Sequence, residues 1–330
     1  MKKIFLILTT LVMSTQLYAE VKTKSWDNPD TIVVARDGTG DFRNIEEAID
    51  VCRAFMEYHK VIYIKNGIYK EKLIIPSFLK NIELCGESKE KTIITYDDHA
   101  NITYDYLPNN HKLGTFRTYT LKVEGNDITL KNITIENNAP KLGQAVALHT
   151  EGDRIKIINC RLLGNQDTVY TGVENTRLYF EGCYIEGTVD FIFGPSIAWF
   201  ENCIIESKSD AYVTAASTPA NQQYGYVFNN CKLIAASGVT KCYLGRPWRP
   251  YAYTLFMNCE LGSHIRPEGW HNWKNPDNEK TSRYIEYNNH GDGANVSNRC
   301  AWAKILTKKE AAKITPETVF AQTTKWNPKQ

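Results

Sequence analysis

Apolar residues recur in pairs, two positions apart, at short and nearly regular intervals. Asn-Ile-Glu-Leu stands at 81–84, Asn-Ile-Thr-Ile at 132–135 and Asn-Cys-Arg-Leu at 159–162. Gly-Cys-Tyr-Ile follows at 182–185, Asn-Cys-Ile-Ile at 202–205, Asn-Cys-Lys-Leu at 230–233 and Asn-Cys-Glu-Leu at 258–261. Alternation with period two marks each unit as a short strand whose second and fourth side chains point inward. From residue 132 the steps are 27, 23, 20, 28 and 28, and the earlier gap of 51 is close to two steps. Such steps leave little room for helices. The pattern predicts an all-β solenoid, a right-handed parallel β-helix whose coils stack about 4.8 Å apart.

The repeat explains most of the cysteines. Cys160, Cys183, Cys203, Cys231 and Cys259 fall on the inward second position, one per coil. They are expected to be buried free thiols, with some disulfides among all nine as the lesser alternative. The asparagines begin each strand at a bend, where a polar ladder would satisfy turn backbone. A solenoid needs covers at its ends. In "NIEEAIDVCRAFMEYHK", Asn44 and Glu47 form a capping-box pattern, and Ile45, Ala48, Ile49, Cys52 and Phe55 share a helical face. In "TKKEAAKI", Thr307 and Glu310 repeat the box. Residues 31–300 read as one solenoid with short capping helices, and the segment after 300 as packing back on it.

The first residues, "MKKIFLILTTLVMSTQLYAE", read as a signal peptide at 1–19, cut after Ala19. Residues 20–330 then form a single domain, secreted or periplasmic. No second long apolar segment appears, which argues against a membrane protein. A net charge of +2 without a basic run argues against nucleic acid. No cysteine pair has the spacing of a metal knuckle.

Candidate chemistry follows from counting in coils. Asp167 lies eight residues after Asn159, and Asp190 eight after Gly182, so the two hold one place on neighbouring coils. Gln144 precedes Asp167 by 23 residues, as Asp167 precedes Asp190. Asp190 lies 12 before Asn202 and Arg246 lies 12 before Asn258, which predicts a shared column two coils apart. An aspartate in "GTVDFIFG" (187–194) taken alone more often bonds nearby backbone. Two stacked carboxyls beside an arginine do more. They titrate as a pair, one raised and one held ionised by Arg246, which makes an acid and a carboxylate at neutral pH. Gln144 and Gln166 can aim amide N–H groups at developing negative charge. Trp248 can stack on a sugar face.

Five segments at these positions resemble the signatures of pectin methylesterases (pectinesterases), a carbohydrate esterase family. They are "GIYKEKLIIP" (67–76), "GQAVAL" (143–148), "GNQDTVYTG" (164–172), "VDFIFG" (189–194) and "LGRPW" (244–248). "VVARDGTGDF" (33–42) and "PEGWHNW" (267–273) are similar to an opening strand and a late segment of the family, and the match runs from about 31 to 327. The resemblance implies the parallel β-helix and hydrolysis of C6 methyl esters of polygalacturonate. It implies Asp190 as nucleophile, Asp167 as general acid and then base, and Gln144 and Gln166 as the oxyanion hole. Arg246 would orient and ionise Asp190, while Trp248, Tyr170 and Phe191 would line the sugar groove. The implied partner is methyl-esterified homogalacturonan, handled by a monomer without metal or organic cofactor. Val169 stands where Leu is usual, and "TAAST" (214–218) resembles the bacterial variant. Three alternatives stay open: a β-helical lyase, for which adjacent Asp97 and Asp98 are the acidic candidates, an esterase acting on thioesters, and a non-catalytic sugar-binding solenoid.

Overall fold

The structure, a computed structural model, describes residues 25–104, 111–322 and 324–329, so the expected signal segment lies outside the described residues. Three strands make one coil. Ile155–Ile158 enters an eleven-stranded sheet, Arg161–Leu163 an eight-stranded sheet and Val169–Thr171 a seven-stranded sheet. Arg177–Glu181 then returns beside Ile155–Ile158, and the pairing is parallel. The same cycle repeats along the chain, giving the expected parallel β-helix.

Because the coils stack in register, like side chains form columns. Leu162, Ile185, Ile205, Leu233 and Leu261 are successive strand partners and all are buried. Phe180, Phe200, Phe228 and Phe256 stack with centroids 4.4, 4.3 and 4.3 Å apart, within the range where offset rings attract. The five repeat cysteines form a buried column as well, and all nine cysteines are free thiols. Their sulfurs donate to main-chain carbonyls, as Cys183 does to Ile157 at 3.2 Å.

The asparagines stand at the bends as expected, and the expected ladder forms in part. Asn132, Asn159, Asn202, Asn230 and Asn258 all have φ between 51° and 56°, with Gly182 at 61° in the same role. This left-handed conformation costs other residues ~1–2 kcal/mol, so Asn and Gly mark each corner. Their backbone N–H groups bond the next coil directly, for example Asn159 to Glu181 at 2.8 Å. The side chains ladder with one another in two runs, Asn159 to Asn132, then Asn288 to Asn258 to Asn229. Asn81 departs from the repeat. Its strand, Ile82–Gly86, belongs to the eleven-stranded sheet and pairs directly with Thr129–Lys131. The gap of 51 is therefore no double step. It contains one enlarged coil whose insertion, 97–120, reaches the seven-stranded sheet.

The end covers are partly as expected. The first helix spans only Ile45–Asp50, and Asn44 makes no side-chain cap. Glu71 replaces it, accepting from Ile45 and Glu46 N–H. Phe55 leaves the apolar face at φ 56° and is 69% exposed, while Met56 is buried in its stead. At the other end the Thr307–Glu310 capping box forms. Leu306, Ala311, Val319 and Phe320 pack on the outer face of the eleven-stranded sheet against Trp199, Val227 and Leu255.

Candidate active site

Asp167 and Asp190 stand at equivalent corners, each two residues before a strand of the seven-stranded sheet, Val169–Thr171 and Ile192–Gly194. Both have positive φ, 67° and 51°, a conformation Asp tolerates better than most residues. Their N–H groups stay in the coil-to-coil ladder, Asp167 to Val189 O and Asp190 to Tyr212 O. The left-handed corner turns both carboxyls outward while Phe191 turns in. Gly187 makes that possible, because a Cβ there would lie 2.2 Å from the Phe191 Cβ.

The carboxyls open into a groove of about 230 Å³ lined also by Gln144, Gln166, Phe193, Arg246, Trp248 and Trp273. Arg246 grips Asp190 bidentately, Nε to Oδ1 at 2.9 Å and Nη2 to Oδ2 at 2.6 Å. It does so from outside the Asp190 column. The register carries Ile192 to Thr214 and Thr214 to Gly245, so Arg246 sits three places past the residue that matches Asp190, Tyr243. The expectation of a shared column fails because loops beyond the seven-stranded sheet differ in length. The arginine reaches back two coils instead. Gln144 is on the preceding coil, yet Leu148 pairs with Val169, a step of 21, so the register carries Gln144 to Asn165, two places short of Asp167. Among the described residues, no side chain bonds the Gln144 or Gln166 amide or the Asp167 carboxyl.

The two acids are electrostatically unlike. Burial pushes Asp167 well above the usual carboxylate range, the Asp190 charge adds to the rise, and Arg246 opposes it. Burial raises Asp190 too, and the guanidinium hydrogen bonds and charge of Arg246 restrain that rise without reversing it. Of the two, Asp167 is the more strongly biased toward keeping a proton, and Asp190 is the one with a cation against it.

Trp248 lines the groove, edge-on to Phe193 at 5.8 Å. Tyr170 stands one layer behind, stacked on Phe193 at 4.7 Å. Phe191 does not reach the groove. It is fully buried in the core, since it and Ile192 both turn inward at the corner and alternation resumes with Phe193 outward. Phe193, Phe116 and Trp273 are groove residues that the sequence reading missed. Phe193 was within reach, two places on in the same motif. Phe116 arrives on the 97–120 insertion, which no repeat anticipates. His149 is buried against Tyr119 and Tyr170, and burial pushes it down to about 4. Asp97 and Asp98 pair with Lys70 and Lys72. Among the described residues, no three His, Cys, Asp or Glu side chains are grouped to hold a metal ion, and no helix is long and apolar enough to cross a membrane.

A family model described as Pectinesterase matches residues 31–323. The chain belongs to the pectinesterase family. Pectinesterase 31 of Arabidopsis thaliana is 38% identical over 281 residues, which cover 84% of this chain and 88% of that one. Pectin methylesterase from carrot superposes with a TM-score of 0.81 at 32% identity, covering 91% of this chain and 95% of its own. A pectin methylesterase solved in complex with a hexasaccharide gives 0.78 at 31%, covering 90% and 98%. Relatives that also carry the name pectinesterase inhibitor are longer, and this chain spans about half of their length. As a pectinesterase the protein is a carboxylic ester hydrolase, which sets aside the lyase and the non-catalytic solenoid.

Proposed function

We propose that this pectinesterase hydrolyses C6 methyl esters of homogalacturonan through a covalent intermediate on Asp190. The observation that carries the reading is the unequal carboxyl pair: Asp190 clamped by Arg246, and Asp167 buried without a partner beside it. An Asp190 oxygen attacks the ester carbon. The carbonyl oxygen takes the negative charge and accepts from the free amides of Gln144 and Gln166, each worth about 10²–10³ in rate. The bond between the acyl carbon and the methoxy oxygen breaks as Asp167 gives its proton to that oxygen, and methanol leaves with the acyl group held on Asp190. Asp167, now a carboxylate, takes a proton from water, whose oxygen attacks the acyl carbon. Collapse frees Asp190 and the galacturonic acid, which ionises. No step calls on a metal or an organic cofactor.

Trp248, Phe193 and Phe116 form the apolar wall for the sugars, with Tyr170 backing Phe193. Homogalacturonan lies outside the producing cell, which supports reading 1–19 as an export segment and the enzyme as secreted or periplasmic. Residues 20–330 act as one monomeric domain, consistent with the terminal segment packed on the solenoid. The test is incubation with highly methylated pectin, following methanol, acid and absorbance of unsaturated sugar ends. Methanol and acid in equal amounts without new absorbance are expected. Absorbance without methanol overturns the reading.

A further inference from the structure

Arg246 presents its edge to Asp190 and its faces to two rings. Its Cζ lies 3.9 Å from the ring centre of Tyr212 and 3.7 Å from that of Trp273. Two rings that close to one planar carbon must occupy its opposite faces. The stack continues outward. Tyr212 lies parallel to Tyr243, centroids 5.4 Å apart at 14°, and the Arg266 guanidinium covers Tyr243 at 4.9 Å. Tyr212 is also the residue whose carbonyl accepts the Asp190 N–H, at 2.9 Å. One residue therefore touches both members of the ion pair, the aspartate by its backbone and the arginine by its ring.

An arginine side chain is long and carries much rotamer freedom, yet a bidentate grip needs one orientation of its plane. A ring on each face removes the other orientations and excludes water from the pair, which strengthens the attraction. We propose that Tyr212 is a positioning residue: with Trp273 opposite, its ring fixes the Arg246 plane so that Nε and Nη2 both meet Asp190. Trp273 lines the groove and Tyr212 does not, so only Tyr212 separates positioning from sugar contact. The inference rests on Asp190 as the attacking carboxylate. The groups that face this pair are Asp167 from the preceding coil, Tyr284 beneath it, and His271 and Arg266 from the loop after the last coil. His271 is held neutral by burial, so Arg246 governs the Asp190 charge.

The experiment compares methanol release by wild type, Tyr212→Phe, Tyr212→Leu and Asp190→Asn across pH. Tyr212→Leu is expected to lose about tenfold in kcat with KM within about twofold. The acid limb of its kcat/KM profile moves to higher pH, because a loosely held guanidinium stabilises the carboxylate less. Tyr212→Phe, which keeps the ring, retains most of the activity and the wild-type limb. A rise in KM with an unmoved limb would overturn the proposal in favour of sugar contact, and unchanged kinetics would overturn it outright. Asp190→Asn separates the two levels: if it stays active the underlying reading falls, and if it is dead while Tyr212→Leu is normal only the clamp falls. Should Tyr212→Leu not fold, the wild type still decides by NMR. Nuclear Overhauser contacts from the Arg246 Nε proton to both the Tyr212 and the Trp273 rings are expected, and their absence overturns the clamp.

Discussion

Replacing Arg246 by leucine removes the partner of a buried carboxylate while keeping bulk between Tyr212 and Trp273. The Asp190 side chain is 8% exposed and that of Arg246 19%, and the two bonds, at 2.6 and 2.9 Å, are charge-assisted. Deleting one partner of such a pair costs ~3–5 kcal/mol, and the partial exposure of Arg246 argues for the low end. At 1.36 kcal/mol per factor of ten, about 3 kcal/mol is roughly 10² in kcat/KM. Asp190 escapes the penalty by taking a proton, which abolishes the nucleophile. The loss should therefore be largest at low pH and shrink as pH rises, with the acid limb displaced upward. Arg246→Lys keeps the charge but loses the planar fork, and should fall between the two. The assay is initial-rate methanol release on methylated pectin over a pH series, with circular dichroism to confirm the fold. A leucine variant within tenfold of wild type, or one whose acid limb stays in place, would refute the assignment of Arg246 as the group that keeps Asp190 charged.

Asp167→Asn should be inactive yet more stable than wild type at neutral pH. The folded-state pKa of Asp167 lies above its unfolded value, so the folded protein binds the extra proton and stability falls as pH rises from about 4; asparagine removes that decline, and thermal melts along a pH series would show equal slopes if the reasoning fails. Phe228→Ala should cost ~3–5 kcal/mol, since the ring is fully buried between Phe200 and Phe256 at 4.3 Å each; a loss under about 1 kcal/mol in denaturant unfolding would mean the column collapses freely. All nine cysteines should titrate as thiols after unfolding, and at most the half-buried Cys85 and Cys300 before it. Reductant should leave the melting temperature unchanged, and a drop would reveal a disulfide.

The coil repeat was legible because a solenoid keeps its inward positions one coil apart, so Cys160 to Cys259 and the two aspartates line up in the sequence as they do in space. What the sequence hid are features that repeats do not encode. Arg246 reaches Asp190 from three places out of register, since the loops leaving the seven-stranded sheet vary in length. Phe191 and Phe193 exchange roles because two successive residues turn inward at the left-handed corner. Asn44 looked like a cap, but Glu71, 27 residues away, takes the helix N–H groups instead. Phe116, Tyr212 and Trp273 come from an insertion, a later coil and the closing loop, and only folding brings them to one groove and one guanidinium.

The central claim is that Asp190 performs the attack. Its most direct test is methanol release by Asp190→Asn, a change of charge with little change of shape. The account predicts a fall of at least about 10³ in kcat, since an amide is no nucleophile, with the fold retained by circular dichroism. Turnover within tenfold of wild type in a folded variant would contradict it.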